Sequence, residues 1–432
     1  IFKPININFT PFWGVAFPYG IAFVPTQIAT TGILGTALWI LFLGLIVSLG
    51  FKVLNHIPDS RAQRFTLISS LVITVFLWTS SLLYTPSFAL LMLAFIFTGI
   101  FIAISQEVGI ISSRSINFKE LPSTKVASTI IIVLVALGAL YLGWVGVEKV
   151  IASYHFKKAS DLSGIPGTPI NDVENQLEKA IKFSSQDIYY LAVAQLNFSR
   201  AQMVARSATG TPEENTAIFQ SSISKSIAAA RSATALNPAS YQNWVVLGSI
   251  YSAMVPEPLK IDGAYENAQY AYNEALKRNP NNPEISLLLA QLEINKGNVE
   301  DARSYIRRAI ALKEDYSDAY STLVQLEIQQ NNIVAAISST ENLVQLLPNN
   351  PGVYFELGVL KYTNLDYKGA EEALMHALEL SPDYANAKYY LALTLLKFDR
   401  TTEAKTYLED LLKSNPDSAE LKATLEGLNK KK

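Results

Sequence analysis

Four long uncharged stretches constrain the first third of the chain more than any other feature. They cover residues 31–51, 65–84, 87–105 and 126–147, and none contains Asp, Glu, Lys or Arg. About 20 apolar residues in a helix cross the hydrocarbon core of a bilayer, and a helix satisfies its own backbone groups there. The pattern therefore predicts four transmembrane helices in a lipid bilayer. A composition of 50% hydrophobic and 17% charged residues agrees with a membrane part.

The basic residues between these stretches predict an orientation. Cytoplasmic loops are enriched in Lys and Arg, and the turn at 84–87 has neither. We therefore expect both basic loops to be cytoplasmic, which puts residues 1–27 and everything after the fourth span on the extracytoplasmic side. The basic residues are Lys52, Arg61 and Arg64 in the first loop, and Arg114, Lys119 and Lys125 in the loop before the fourth span.

The spans offer little for ion or proton transport, since ionisable groups mark such paths and these spans have none. The second span carries hydroxyls instead, at Thr74, Thr79, Ser80 and Ser81. Hydroxyls in a membrane helix bond back to helix carbonyls or across to a neighbour. A structural role is favoured over a transport path.

The second half repeats with a period of 34 residues. Pro280, Glu314, Pro348, Pro382 and Pro416 mark the period, and a small alanine precedes each by twelve residues. This is the tetratricopeptide period, in which each unit is a helical hairpin. An eight-residue excess after Pro238 predicts an inserted loop at 255–262, and 187–206 with 213–236 resemble a degenerate hairpin. The alanines are Ala268, Ala302, Ala336, Ala370 and Ala404.

These signals predict an all-α fold in which four transmembrane helices precede a tetratricopeptide-repeat α-solenoid. The Gly/Pro/Ser-rich sequence SDLSGIPGTPI separates the halves, and Asn171 with Glu174 predicts the capped start of the next helix. The expected domains are an extracytoplasmic loop (1–27), a four-helix transmembrane domain (28–158), a linker (159–170), degenerate helical repeats (171–240) and a solenoid with a C-terminal cap (241–432).

Stacked hairpins form a concave surface, and binding is its usual use. The inward positions of the first helices, assigned by analogy with the repeat family, carry no Lys or Arg, so a basic clamp for a terminal carboxylate is absent. Their amides and rings suit an extended peptide or a glycan. The alternative, that the rings only pack between helices, stays open. The expected partner-binding residues are Gln242, Ser249, Leu287, Gln291, Gln325, Phe355, Tyr362, Asn386 and Tyr389.

The sequence FKPININFTPFWGVAFPYGIAFVPTQIATTGILGTALWILFL, residues 2–43, carries a family resemblance. With Thr30-Thr31-Gly32-Ile33-Leu34-Gly35 at the start of a helix, it resembles the last large extracytoplasmic loop and following helix of O-antigen ligase and polymerase-like bacterial membrane proteins. Some of these carry C-terminal tetratricopeptide repeats. The resemblance implies transfer of a glycan from a lipid carrier to an acceptor at the outer face of the membrane.

The same resemblance implies that basic residues of the loop carry the chemistry. Lys3 is the only basic residue there and is a weak catalytic candidate, because lysine lacks the planar fork of arginine. No histidine precedes His56, and the helices that come before this loop in the family are not in the chain. We therefore expect the chain to be the C-terminal part of such a protein, and whether it is itself an enzyme stays open.

Two functions follow from these features. In the first, the chain is the C-terminal part of an O-antigen-ligase-like cell-envelope protein in the bacterial cytoplasmic membrane, whose extracytoplasmic repeats bind a protein or a polyprenyl-linked glycan. In the second, it is a non-enzymatic scaffold for envelope protein assembly.

Other classes of function are disfavoured. A net charge of -2 disfavours nucleic acid. The lack of cysteine, with three isolated histidines, predicts neither metal nor cofactor. Asn8-Phe9-Thr10 and Asn197-Phe198-Ser199 match the glycosylation triplet, which is common by chance.

Overall fold

The computed structural model describes residue 8 and residues 23–83, 88–111, 122–206, 210–257 and 259–430. All regular secondary structure in this described part is helical, and α-helical apart from the 3₁₀ conformation of residue 8. Lys3, Arg114, Lys119 and the turn at 84–87 lie outside it. The helices are α1 Phe23–Asn55, α2 Arg61–Leu83, α3 Phe88–Glu107, α4 Pro122–Ser163, α5 Ile170–Phe183, α6 Asp187–Arg206, α7 Pro212–Leu236, α8 Tyr241–Ser252, α9 Ala264–Arg278, α10 Pro283–Lys296, α11 Val299–Leu312, α12 Ser317–Gln329, α13 Ile333–Leu346, α14 Pro351–Thr363, α15 Tyr367–Leu380, α16 Ala385–Leu396, α17 Thr401–Ser414 and α18 Ala419–Lys430.

The chain forms two compact units. One comprises residues 15–140, and the other comprises residues 1–14 together with 141–432. Four helices of the described part are long and apolar enough to cross a membrane: Gly32–Asn55, Arg61–Leu83, Ala89–Glu107 and Ala136–Ser163. The fourth prediction, 126–147, falls inside α4, which runs on to Ser163. Large apolar side chains on these helices, such as Leu34 and Leu140, are exposed, as lipid-facing residues are.

In the unit of residues 15–140, α2 and α3 are joined by a buried hydrogen bond. The indole Nε1 of Trp78 donates to Oγ1 of Thr98 at 2.9 Å. The Trp78 ring also lies 5.6 Å from Trp39 and 5.2 Å from Phe95, measured between centroids. The cluster brings α1 against both helices and satisfies the one polar atom of the indole.

Two of the predicted hydroxyls of α2, those of Ser81 and Thr74, differ in their hydrogen bonding. Ser81 bonds back to the carbonyl oxygen of Leu77 at 2.8 Å, as expected from its place in a membrane helix. Thr74 Oγ1 is buried and has no hydrogen-bond partner in the part of the chain that the structure describes.

Gly32 interrupts α1. Its backbone has φ +67° and ψ -168°, so two helical segments meet there. Glycine adopts positive φ without the steric cost that a Cβ imposes. The candidate span Gly32–Asn55 begins at this residue, so the glycine marks the junction between the two helical segments of α1.

In the repeat half, consecutive helices pair as antiparallel hairpins, from α6 with α7 to α16 with α17, and α18 covers the end. Helices α6 and α7 occupy the positions of the degenerate hairpin. The periodic alanines are fully buried. Close packing also needs Gly358, where a Cβ would lie 2.6 Å from Cγ of Leu374. The inserted loop lies between Ser252 and Ala264, and the amide of Ile261 donates to the carbonyl of Met254 at 3.0 Å.

The predicted start of the first helix after the linker is corrected. Helix α5 begins at Ile170 and has Pro169 at its N-cap, with no side-chain cap. Glu174 does not cap the helix, because it is buried and bonded to Lys225 Nζ at 2.8 Å and to Arg200 at 3.4 Å. Burial opposes ionisation of Glu174, but the bonds from Lys225 and Asn197 outweigh it and lower its pKa.

Candidate functional site

The predicted partner-binding residues all lie on the first helices of consecutive hairpins, α8, α10, α12, α14 and α16. We call the surface that they form the first-helix face. Five of its residues fall into two groups, an open polar cleft between α10 and α12 with Gln291 and Gln325, and a set of rings on α14 and α16 with Phe355, Tyr362 and Tyr389.

The cleft between α10 and α12 has a volume of about 210 Å³. Gln291 and Gln325 are exposed on its two walls. Nε2 of Gln325 donates to Oε1 of Glu356 at 3.1 Å, and Nε2 of Gln291 lies 3.5 Å from Oδ1 of Asn295. A side-chain amide both donates and accepts hydrogen bonds, so this surface suits the main chain of an extended segment. We call it the amide cleft, and its lining residues are Gln291, Ile294, Ser321, Thr322, Gln325, Leu326 and Gln329.

Glu356, on α14, was not among the predicted residues. Its side chain is half-buried and accepts the bond from Gln325. Burial raises the pKa of this carboxyl group. The oxygens of this carboxyl group, at the border of the cleft, can accept hydrogen bonds from a ligand.

The three aromatic residues that the sequence singled out converge on a fourth. The ring of Tyr390 lies 5.7 Å from Phe355, 6.0 Å from Tyr362 and 6.0 Å from Tyr389, between centroids. Phe355 also contacts Tyr384 at 5.1 Å. We call Phe355, Tyr362, Tyr389 and Tyr390 the tyrosine cluster. All four are half-buried, so they pack between helices and still present ring surface.

The hydroxyl of Tyr389 connects this cluster to the last helix. It donates to Oε1 of Glu420 at 2.6 Å. That bond, together with burial, raises the pKa of Tyr389 to about 12. The phenol therefore stays protonated at neutral pH and fixes α16 against α18.

The remaining predicted residues play different parts. Ser249 accepts a hydrogen bond from the hydroxyl of Tyr272 at 3.2 Å, and Leu287 packs against the core between α10 and α12. Gln242 and Asn386 are exposed. Lys3 lies outside the described residues, and within those residues no group of three or more His, Asp or Glu side chains is arranged to hold a metal ion.

Sequence reasoning missed a pair of buried carboxylates near the ends of the first helices. Glu327 accepts from Arg303 at 2.7 Å and from Asn332 at 2.9 Å. Glu293, one period earlier, accepts from Tyr265 at 3.0 Å and from Asn298. The available signal was a glutamate at the same place in two consecutive repeats, five residues before an asparagine.

Stacked hairpins that follow apolar helices define a helical-repeat protein with candidate membrane spans. The repeats are tetratricopeptide repeats, because residues 260–326 and 364–427 match that family.

Two curated relatives share about 170 residues with this chain. The human protein O-mannosyl-transferase TMTC1 is 28% identical over 172 residues, which are 39% of this chain and 20% of the relative. The TPR repeat-containing protein MJ1428 of Methanocaldococcus jannaschii is 29% identical over 175 residues, 38% of this chain and 31% of the relative. The chain thus spans between a fifth and a third of the length of these relatives. Among solved structures, Pseudomonas aeruginosa PilF is similar at 15% identity and a TM-score of 0.37, over 55% of this chain and 98% of that one.

Proposed function

We propose that this chain is a membrane-anchored scaffold whose repeats bind an extended segment of a protein partner on the first-helix face. The observation that carries the proposal is the amide cleft and the tyrosine cluster on one series of stacked helices. Amides bond to a main chain that runs across them, and rings receive apolar side chains. Tetratricopeptide repeats generally serve as scaffolds for protein partners.

The charges on this face define the partner more closely. The nine predicted positions carry no cation, and the carboxyl groups bonded to them belong to Glu356 and Glu420. The first-helix face therefore favours a neutral or basic segment that is bound along its length. An apolar or aromatic side chain of this segment would lie over the tyrosine cluster. A terminal carboxylate has no counter-charge among these positions.

The location is part of the same proposal. We place the chain in the bacterial cytoplasmic membrane, with the repeats and residues 1–27 on the extracytoplasmic side. Lys52 in the last turn of α1 and Arg61 and Arg64 in the first turn of α2 support this orientation, since the cytoplasmic ends of membrane helices and their loops are enriched in such residues. The domain limits given under the sequence analysis belong to the proposal too, except that the linker of 159–170 narrows to residues 164–169, because α4 runs to Ser163 and α5 begins at Ile170.

A second candidate is an O-antigen-ligase-like protein, in which the repeats hold a protein or a polyprenyl-linked glycan close to the site of glycan transfer. The resemblance of residues 2–43 favours it, as does the sugar transfer in the name of the human relative. Binding of a polyprenyl-linked glycan to the full chain in nanodiscs tests it, with Lys3→Ala as the variant. Binding that weakens by about tenfold or more in the variant supports this candidate, whereas no binding by the unaltered chain, or equal binding by both, removes it.

Peptide selection tests the scaffold proposal directly. The full chain in lipid nanodiscs is used to select binders from a library of unbiased peptides, and their dissociation constants are then measured by fluorescence anisotropy. The double variant Gln291→Ala/Gln325→Ala should raise the dissociation constant by about tenfold or more, because two side-chain hydrogen bonds to the peptide are lost. Tyr362→Ala should do the same by removing ring surface.

Gln330→Ala is the matched control. Gln330 is an exposed glutamine just beyond the C-terminal end of α12 and outside the cleft lining, so its removal should leave the dissociation constants unchanged. Selected peptides that bind all of these variants equally would contradict the assignment of the face. So would a library that yields no binder beyond those retained by empty nanodiscs.

A further inference from the structure

One residue that precedes the membrane helices lies against the repeats. Asn8 is only 2% exposed and belongs to the same compact unit as the repeats. Its side-chain Nδ2 donates to the carbonyl oxygen of Asn281 at 2.7 Å and to that of Leu312 at 3.0 Å. An amide nitrogen has two hydrogens, and here both are used on main-chain carbonyls of the repeats.

A buried lysine completes the contact from the other side. Nζ of Lys313 donates to the main-chain oxygen of Asn8 at 3.0 Å and to Oδ1 of Asp315 at 2.6 Å. Its side chain is 8% exposed. Burying an ammonium group is costly unless acceptors surround it, and residue 8 supplies one of them. The recognition therefore includes the side chain and the backbone of the same asparagine.

The carbonyl acceptors arise from the ends of helices. Leu312 is the last residue of α11, and Asn281 lies in the turn before α10. The last four carbonyls of a helix have no partner within it, so a ligand amide can satisfy them. We call Asn281, Leu312 and Lys313 the corner site.

The corner site differs from the equivalent turns of the other repeats. Each of these turns, which we call corners, joins the second helix of one hairpin to the first helix of the next. In the corner site, Lys313 is followed by Glu314 at the place of the periodic proline. In the other repeats, the residue before that proline is Asn279, Leu347, Ser381 or Asn415. Lys313 is the only cation at this position of the period. Because the other repeats stack without a cation at this position, stacking alone does not require the buried Lys313.

We propose that the corner site binds an asparagine, and that Asn8 occupies it in cis and fastens the N-terminal segment to the repeats. Four spans are an even number, so residue 8 and the repeats would emerge on the same side of the membrane, which this contact requires. The proposal does not depend on what the first-helix face binds. It also accounts for Asn8-Phe9-Thr10 as a sequence whose asparagine is engaged within the protein.

Hydrogen exchange measured by mass spectrometry on the full chain in nanodiscs tests the tether. Asn8→Ala should speed exchange at residues 279–282 and 313–316 by about tenfold or more, because the two side-chain hydrogen bonds are lost and the charge-assisted bond from Lys313 to the main chain is lost once the segment is released. The equivalent corners at 347–350 and 381–384 should stay as in the unaltered chain and serve as internal controls. Asn8→Asp, which keeps the shape but loses the donor, should act in the same way.

Lysine variants separate the corner site from a general effect of losing a buried cation. Lys313→Met should release the N-terminal segment and speed exchange at residues 279–282. Lys388→Met is the matched control, since Lys388 is also largely buried and bonded to Asp410 at 2.6 Å but lies in another repeat. It should leave residues 279–282 unchanged.

Restoration in trans completes the test. A synthetic peptide of residues 1–22 should restore protection at the corner site of the Asn8→Ala chain, and the same peptide with alanine at residue 8 should not. Unchanged exchange at 279–282 and 313–316 in the Asn8→Ala chain would overturn the proposal. Equal acceleration at all corners, or rescue by the alanine peptide, would overturn it as well.

Discussion

A buried ion pair inside the repeats joins two consecutive hairpins. The Glu327 carboxylate is 3% exposed and receives Nε and a terminal nitrogen of Arg303 at 2.7 and 3.2 Å. The hydrogen bond from Arg303 lowers the pKa of Glu327, and burial opposes this only in part. The pair joins α11 to α12, so it holds consecutive hairpins together.

Replacing this carboxylate should destabilise the repeats in a pH-dependent way. Glu327→Gln leaves the largely buried Arg303 with only the exposed Glu300 as a counter-charge, so the free energy of unfolding at neutral pH should fall by about 3 kcal/mol, the lower end for breaking a buried pair. The folded-state pKa lies below the usual 4.5, so the ionised carboxylate stabilises the fold above pH 4.5 and this contribution is lost as the pH falls through the lowered pKa. The difference between the two proteins should therefore shrink below pH 4.5.

Urea titrations of the full chain in detergent, at neutral pH and at about pH 3, measure this difference. Glu403→Gln is the control, because Glu403 pairs with Arg400 at the surface, and exposed ion pairs contribute little. A difference between Glu327→Gln and the unaltered chain that is the same at both pH values would be inconsistent with the assignment.

Among the elements, we expect α18 to act as a cap on the hairpin of α16 and α17. The buried face of α18 places Leu421 and Leu425 against the core formed by α16 and α17, and Glu420 receives the hydroxyl of Tyr389. A hairpin cannot bury its apolar face alone, so α18 supplies a surface against which this hairpin packs.

Weakening the cap should affect only its neighbours. The double variant Leu421→Ala/Leu425→Ala should speed hydrogen exchange in α16 and α17 and leave α10 and α11 as they are, because stacked repeats contact only adjacent repeats. Exchange mass spectrometry on the intact protein gives both regions in one measurement. Faster exchange spread evenly from α10 to α17 would show that the repeats unfold as a single unit instead.

Much of the element order could be read from the sequence, because the determinants are local and periodic. A 34-residue period places each hairpin, and the buried alanines follow from it. The start of α5 could not be read in this way, since Glu174 is held by Lys225, a partner about fifty residues away. Tyr390 was missed because neighbouring aromatic residues on one helix cannot be ranked without knowing what packs against each.

For the molecule as a whole, two features of the account depend on distant parts of the chain. Asn8 reaches carbonyls some 270 to 300 residues away in sequence, and no pattern in the sequence indicated that contact. The number of spans determines whether such a contact can form, since only an even number leaves both segments on one side of the membrane. The membrane topology therefore underlies the scaffold proposal and the tether alike.

The most direct measurement is labelling of single cysteines with a membrane-impermeant maleimide, for which the chain is suited because it contains no cysteine. Ser60→Cys lies between α1 and α2, and Gln242→Cys lies exposed on α8. In cells with an intact cytoplasmic membrane, we expect the cysteine at position 242 to be labelled from outside. The cysteine at position 60 should be labelled only after the membrane is permeabilised. Labelling of both from the same side, or release of the chain from the membrane by alkaline extraction, would contradict this topology.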